Sequence, residues 1–225
     1  MSFNDFIGGY KLGELEEVKK AQTVGTDFSE LMRKYETVLD THIPDEANFV
    51  LHSPNITEVL TSDEINSFLQ VTQKYEDHID YFWKTGLMFS SLIQNSYNNG
   101  YNGFRLNTTL LPGIDFMGSY IVGEEKNPID VTILGNGALG VGYEANYSMF
   151  TINGDAGNGC GLYARFSSFT FNGRVNFISR LEMSHCTFKT TILDNVELLK
   201  KNIPQNKGNT LIYIDQGKEV KVDLE

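Results

Sequence analysis

The sequence has little cysteine, little positive charge and no long apolar run, and each shortage excludes a class of protein. Its 225 residues include two cysteines, Cys160 and Cys186, which exclude a disulfide scaffold and a CxxC motif. Eighteen Lys and Arg against 29 Asp and Glu give a net charge of −11. That charge argues against unaided binding to nucleic acid or to an anionic membrane, because both ligands attract positive proteins.

Neither a membrane span nor a secretory signal is evident in the sequence. The most apolar stretch, around residues 81–93, is too short and too polar to cross a bilayer. The first 20 residues lack a basic segment followed by an apolar one, so we expect no signal peptide. We therefore expect the protein in the cytoplasm of the cell that makes it, or in a larger particle assembled there.

The first hundred residues have the spacing of amphipathic helices. Asp27 to Glu30 and Thr61 to Glu64 both fit the capping box that begins a helix. Apolar residues follow each box at helical spacing, and Pro44 is expected to stop the first helix. The second pattern predicts one helix of roughly 30 residues, with Gly86 as a possible bend. Its apolar stripe predicts a core or helix hairpin, or alternatively a face for self-association.

The second half of the chain repeats itself. Five segments align on an apolar–polar–apolar pattern that is typical of strands: 114–118, 131–135, 150–154, 169–173 and 186–190. Thr fills the second position in four of the five copies, and Gly fills the fifth position in four. Their central residues, spaced 17, 19, 19 and 17 apart, are Phe116, Ile133, Ile152, Phe171 and Phe188. The glycine column predicts a corner that needs a positive φ or a close backbone approach.

A second set of strands is expected between the first, at 141–145, 160–164 and 179–183. A strand–turn–strand unit that cannot bury its own inner face is expected to stack on copies of itself. The fold class predicted is therefore α+β: an N-terminal α-helical segment, then a short parallel β-solenoid of about five rungs of 17–19 residues, then a C-terminal β-hairpin cap. An antiparallel sandwich of hairpins is the alternative.

Three regions follow from these patterns. Residues 1–103 form the helical N-terminal region, 104–195 the solenoid and 196–225 the hairpin cap. The hairpin is predicted because 210–215 and 220–224 alternate apolar and polar residues around the turn 216–219.

The repeat from 114 to 193 resembles the parallel β-helix architecture, as found in components of viral fibres, spikes, tails and necks. The resemblance implies a structural role, an assembled virion as one location, and an oligomer. It points to no specific family. The six-residue period of left-handed acyltransferase helices is not sustained, since Leu134-Gly135 and Leu139-Gly140 are five residues apart.

The sequence contains few candidates for chemistry. It has no GxxxxGK[ST], GxGxxG after a strand, HExxH or GxSxG motif. Asn153, Asp155 and Asn158 lie in a glycine-rich polar turn and are the predicted binding residues, as oxygen ligands for a cation or another ligand. The alternative for this turn is a plain corner. Glu144 and Glu182 are expected roughly 10 Å apart, at the outer limit for a pair of glycosidase carboxylates.

His185 beside Cys186 is the one pairing that would suit a nucleophile or a metal ligand. Adjacent residues on a strand point to opposite faces, and Cys186 falls in the inward column of the repeat. We therefore expect a buried, inert thiol next to an exposed histidine.

These observations predict a non-catalytic structural or assembly protein, an oligomeric part of a larger particle such as a phage virion (a fibre, tail or neck part). We assign it no catalytic residue, no metal ligand and no cofactor. The expected partners are copies of itself, with a trimer favoured, and other structural proteins. Nucleic acid and membrane are not expected partners. The alternative is a carbohydrate-binding or polysaccharide-cleaving protein, in which exposed Tyr120, Tyr147 and Tyr163 would stack on sugar rings.

Overall fold

The computed structural model describes residues 27–42, 56–176 and 182–224. Within these ranges the chain forms four α-helices, two short 3₁₀ helices (Gln73–Tyr75 and Gln205–Lys207) and one sheet of seven strands. The helices are α1 (Ser29–Asp40), α2 (Ser62–Thr72), α3 (Tyr81–Asn98) and α4 (Leu193–Asn202). The strands are β1 (Gly103–Asn107), β2 (Ile129–Leu134), β3 (Ser148–Ile152), β4 (Ser168–Phe171), β5 (Thr187–Thr190), β6 (Thr210–Asp215) and β7 (Lys218–Val222).

The strands lie side by side in chain order, and neighbours are parallel except for the antiparallel pair β6–β7. From β2 to β5 the register is constant, because each residue pairs with the one 19 positions further on, as Ile133 does with Ile152. The strands follow one another at intervals of 19 residues along the chain. Turns join them, since no helix lies between β2 and β5 in the part of the chain that the structure describes.

The predicted solenoid is wrong. The seven strands form one open sheet, with β1 and β7 as its edges, and the sheet does not close on itself. The expected second strands at 141–145 and 160–164 are turns, because Gly142 and Gly161 have φ of 67° and 73°. Backbone with these left-handed angles cannot extend. Successive connections form no paired strands: isolated bridges such as Asn146 with Arg165 and single hydrogen bonds such as Gly161 N–H to the Val141 oxygen link them. Most of 179–183 lies outside the described residues.

The alignment of the repeat is also corrected at both ends. Segment 114–118 is a turn in which Phe116 has φ of 58°, so it contributes no strand. At the other end Phe171 pairs with Thr190, and Phe188 pairs with Phe169. The last step is therefore 19 rather than 17. A two-residue shift keeps every side chain on its predicted face, so the alternation alone did not reveal the error.

The predicted glycine column is confirmed where the chain turns after the strands. Gly135 has φ of 111°, a conformation that side chains rarely allow. At Gly154 a Cβ atom would lie 2.5 Å from the Gly135 carbonyl oxygen, so only glycine fits that approach.

The inner face of the sheet is held by stacked aromatic rings. The centroids of Phe150 and Phe169 lie 5.0 Å apart, those of Phe169 and Phe188 lie 5.4 Å apart, and all three rings are nearly parallel. All three side chains are buried. Constant register therefore places like residues on top of one another at about the strand spacing of 4.8 Å, where they fill the core.

The predicted long helix is two helices that form a hairpin. Helix α2 begins with the expected capping box, in which Thr61 and Glu64 exchange side-chain and backbone hydrogen bonds. It ends at Thr72, and the chain turns over 73–80 before α3 begins. The turn brings Phe68 of α2 onto Phe89 of α3, with centroids 5.5 Å apart. The apolar stripes of α2 and α3 thus meet within the chain, which confirms the core or hairpin.

A buried lysine joins the first helix to the third. Lys84 of α3 is fully buried, and its Nζ donates to the backbone oxygens of Leu39 (2.5 Å) and Thr41 (2.8 Å) at the end of α1. The same Nζ lies 2.7 Å from the Asp80 carboxylate. The lysine therefore satisfies carbonyls that the helix end leaves free. Helix α1 begins without the predicted capping box, and Pro44 lies outside the described residues.

Helix α2 covers the β1 edge of the sheet. Ser62 Oγ and Asn66 Oδ1 accept hydrogen bonds from the backbone N–H groups of Arg105 and Asn107. Gln70 Nε2 donates 2.8 Å to the Asn107 carbonyl. These three helix residues are spaced four apart, so they form one polar row facing the strand. The row occupies the hydrogen-bonding groups with which β1 would otherwise pair another strand.

The predicted C-terminal hairpin is confirmed as β6 and β7, but β6 also pairs with β5 and so continues the sheet. The sequence did not predict α4, whose buried Asn195 bonds to Gly173, Val175 and Thr190. None of the helices in the described ranges is long and apolar enough to cross a membrane.

Replacing Lys84 with Met should lower the free energy of unfolding by about 1–3 kcal/mol, the cost of leaving buried polar groups without partners. Urea denaturation followed by circular dichroism measures this loss. The control is Lys189→Met, because Lys189 forms a more exposed ion pair with Glu219 and should cost about 0–1 kcal/mol. Equal losses in the two variants would contradict the structural role of Lys84.

Replacing Gly86 with Ala should destabilise the protein, although alanine is ordinarily favoured in a helix by about 1 kcal/mol. A Cβ at Gly86 would lie 1.7 Å from the Asp115 carbonyl oxygen, so the helix must move away from the turn beside it. We expect a loss of about 1–3 kcal/mol in thermal or urea unfolding. Gly103→Ala is the control, because a Cβ there meets nothing within 4 Å. A stabilised Gly86→Ala protein would show that the close contact is absent.

Candidate functional site

Three ring-bearing residues precede strands β3, β4 and β5 in an unusual backbone conformation. Tyr147, Phe166 and His185 occupy the same position in successive repeats and have φ of 47°, 50° and 54°. Their rings stack on one another, with centroid separations of 5.0 Å and 4.8 Å. We call these three residues the aromatic column. The left-handed region is uncommon for residues other than Gly, Asn and Asp, and it costs roughly 1–2 kcal/mol per residue.

The residue after each member of the column holds the turn in place. Ser148 and Ser167 are buried, and each Oγ donates to the carbonyl two residues earlier, at 3.0 Å and 2.9 Å. Buried Cys186 repeats the arrangement, with its Sγ 3.4 Å from the Ser184 oxygen. These local bonds favour the turn that presents the ring outward.

A groove of about 350 Å³ lies along the aromatic column. Its other wall consists of outward-facing strand residues and the loop before β2: Met149, Ser168, Thr187, Glu125 and Pro128. Phe166 is 48% exposed and Met149 is 42% exposed, so the groove presents apolar surface to solvent. Glu125 is the acidic side chain of its lining, and the remaining polar groups are the His185 ring and hydroxyls.

The central ring of the column, that of Phe166, presents its edge to solvent. Both faces of Phe166 are covered, one by Tyr147 and the other by His185. The predicted sugar-stacking residues Tyr120 and Tyr163 lie elsewhere, each edge-on to Tyr143 at 5.4 Å and 5.5 Å. Tyr147 alone of the three predicted tyrosines lines the groove. Flat stacking of a sugar on Phe166 is therefore blocked, since a stacked sugar needs an open ring face.

Sequence reasoning missed the column as a unit. It identifies Tyr147 only as an exposed tyrosine, and His185 only as the neighbour of Cys186. The signal is present in the sequence, because Tyr147-Ser148, Phe166-Ser167 and His185-Cys186 recur at the interval of the repeat. The pattern precedes the strands and has no alternation, so a search for strand periods does not detect it.

The predicted binding residues lie in the connection between β3 and β4. Asn153 is exposed, and its Oδ1 accepts a hydrogen bond from Asn172 Nδ2 (2.7 Å). Asp155 is exposed, and its Oδ1 accepts one from the Arg174 backbone (2.8 Å). Asn158 Oδ1 is buried without a hydrogen-bond partner. Two of the three oxygens thus bond to the next connection along the chain, and their role as ligands stays a prediction.

The acidic side chains considered for catalysis lie apart from the groove. Glu144 and Glu182 are exposed, and Glu182 lies 3.9 Å from Lys207 Nζ. Burial raises the pKa of Asp115, and a hydrogen bond from the Leu139 backbone partly opposes that rise. In the ranges that the structure describes, no three His, Cys, Asp or Glu side chains are grouped so that they would hold a metal ion.

The prediction of a buried thiol beside an exposed histidine is confirmed at Cys186 and His185. Burial raises the pKa of Cys186 to about 11 and that of Cys160 to about 12. Since the thiolate is the reactive species, both thiols are held in the inert form at neutral pH.

We expect neither thiol to react with Ellman's reagent at pH 8 in the folded protein, because burial holds both pKa values well above that pH. In urea the pKa values return toward the ordinary value of about 8.5, and both thiols should react. Absorbance of the released thionitrobenzoate measures the count. Rapid reaction of one thiol in native buffer would contradict its burial.

Comparison with known proteins gives no match: no family model fits the chain, and neither a curated protein nor a solved structure matches it. The features of the described structure that bear on function are the aromatic column, the groove and the edges of the sheet.

Proposed function

We propose that this chain is a non-catalytic structural or assembly protein, which binds copies of itself and other structural proteins as part of a larger particle. The observation that carries the proposal is the aromatic column, three stacked rings held outward in a left-handed backbone conformation beside an open groove.

The conformation of the column supports a binding role. Left-handed residues other than glycine cost free energy, and such outliers concentrate at functional sites. Here the same cost recurs at three successive strands, and local hydrogen bonds from Ser148 and Ser167 support it. In this arrangement Phe166 is 48% exposed and lines the groove.

The chemistry of the groove fits a protein partner. Aromatic residues and Met are enriched at the centres of protein interfaces, and charged residues are depleted there. Phe166, Tyr147 and Met149 provide the apolar centre, with hydroxyls beside them and Glu125 in the lining. Ring edges pack against apolar side chains as readily as ring faces do. The net charge of −11 favours a contact whose centre is uncharged, because two copies repel at long range.

The proposed number of subunits and the proposed kind of particle are based on the sequence. A trimer is the proposed order, and a virion, as in a phage fibre, tail or neck part, is the proposed particle. The resemblance that led to the virion rested on a solenoid, so the sheet itself adds no support to that part.

Light scattering over a concentration series tests the proposal. We expect a mass that is a multiple of the 25.3 kDa chain, and we expect Phe166→Ala to require about tenfold more protein to reach it. The reason is that the variant removes the central exposed ring of the column. Its control is Tyr163→Ala, because Tyr163 is also aromatic, left-handed and 44% exposed, but does not line the groove.

A chain that stays monomeric at micromolar concentration would overturn self-assembly through the groove. Loss of association in both variants would show a general effect of removing surface rings. A persistent monomer would favour the alternative, carbohydrate binding.

A further inference from the structure

Strand β7 is the exposed edge of the sheet. Its residues Lys218, Glu219, Val220 and Lys221 are exposed, and Val220 is 50% exposed. Its inner side pairs with β6, and no strand among the described residues pairs with its outer side. The opposite edge, β1, is covered by the polar row of α2. Within the described parts of the chain, β7 is therefore where another strand can be added.

The hairpin geometry shows which backbone groups are free. Gln216 and Gly217 form a two-residue turn with φ of 48° and 80°, as a type I′ turn requires. Asp215 and Lys218 flank the turn, so they form a hydrogen-bonded pair, and such pairs alternate along an antiparallel ladder. Val220 and Val222 therefore bond inward to β6, while the N–H and C=O groups of Glu219 and Lys221 point outward.

The side chains on these two outward-bonding residues have opposite charges. Glu219 and Lys221 lie on one face of the sheet, because they pair with Ile214 and Ile212 of β6. Val220 lies on the other face, opposite Tyr213. The free backbone groups and the charges thus belong to the same two residues, one acidic and one basic.

We propose that β7 pairs antiparallel with β7 of a second copy, about a two-fold axis at Val220. In this register Glu219 of each copy lies opposite Lys221 of the other, and the free N–H and C=O groups of both residues are paired. The two Val220 side chains meet on the axis. The contact joins two seven-stranded sheets into one of fourteen strands, and it deepens the proposed assembly function, on which it rests.

Charge selects this register against its neighbours. Side chains directly opposite each other on one face attract when their charges differ and repel when they are alike. Sliding one copy by two residues in either direction places Glu219 opposite Glu219, or Lys221 opposite Lys221. A parallel pairing in register likewise places like charges side by side. The antiparallel register centred on Val220 avoids all of these repulsions.

The β7 contact forms a closed dimer and not an open chain of copies. A two-fold pairing uses the same edge of both copies, so it ends at two chains. The covered β1 edge prevents further strand addition at the other side. Growth beyond a dimer then requires a different surface, such as the groove of the aromatic column. A two-fold contact combined with the proposed trimer would give a hexamer.

The test exchanges the charges and measures sedimentation velocity over a concentration series. We expect Glu219→Lys and Lys221→Glu each to weaken dimer formation about tenfold, because each turns two attractive cross-strand pairs into two repulsive ones. The double variant Glu219→Lys/Lys221→Glu should restore it. An equimolar mixture of the two single variants should form a mixed dimer, since every cross-chain pair is then Lys opposite Glu.

Two controls separate this contact from other effects. Lys189→Gln removes the ion pair that Glu219 makes within its own chain, and it should leave dimer formation within about twofold of wild type. Repeating the series in the Phe166→Ala background removes the groove contact, so that a dimer formed through β7 is seen alone.

Restored dimers in the double variant and the mixture would support the proposal. A dimer unaffected by either single variant, or one lost in the single variants and not restored, would overturn it. In another outcome the wild type forms an oligomer, the charge variants do not change it, and Phe166→Ala leaves only a monomer. That outcome would overturn the β7 contact and leave the proposed function standing. Charge-dependent dimers with no effect of Phe166→Ala would support the β7 contact and overturn the groove of the aromatic column as an assembly surface.

Discussion

Parallel pairing at one constant offset, from each residue to its equivalent in the next repeat, is the constraint on which this structure depends. It places each residue of β3 beside its equivalents in β2 and β4, so a side chain suited to one strand meets the same kind of side chain on the next. The buried phenylalanine stack, the glycine approach at Gly154 and the aromatic column all follow from that offset. One register thus produces both the core and the exposed surface.

Local patterns predicted the parts of the fold that depend on near neighbours. The capping box at Thr61, the alternation of β2 to β4 and the hairpin of β6 and β7 depend on residues a few positions apart. The solenoid was wrong because strand-like alternation at 141–145 does not reveal that Gly142 adopts a left-handed angle. The break between α2 and α3 was missed because no glycine or proline marks residues 73–80, and the packing of Phe68 on Phe89 decides it.

The candidate site was predicted less well for a related reason. Its members matter through stacking across strands, which depends on register, and the sequence alignment was displaced by two residues at Phe188. The polar turn at Asn153, by contrast, was visible because its composition is local. In the structure two of its side chains bond across to the next connection. Two groups that look free in the sequence, Asn153 and Asp155, are thus bonded to the next copy of the same repeat.

The order of the strands in space equals their order along the chain, so the sheet can form one strand at a time. Each strand from β3 to β5 joins the strand of the preceding repeat, so every step closes a loop of the same modest length. No strand in this series has to pair with a segment that is distant along the chain. When β4 emerges during synthesis, β3 is already available as its template, and the sheet can lengthen at the pace of translation.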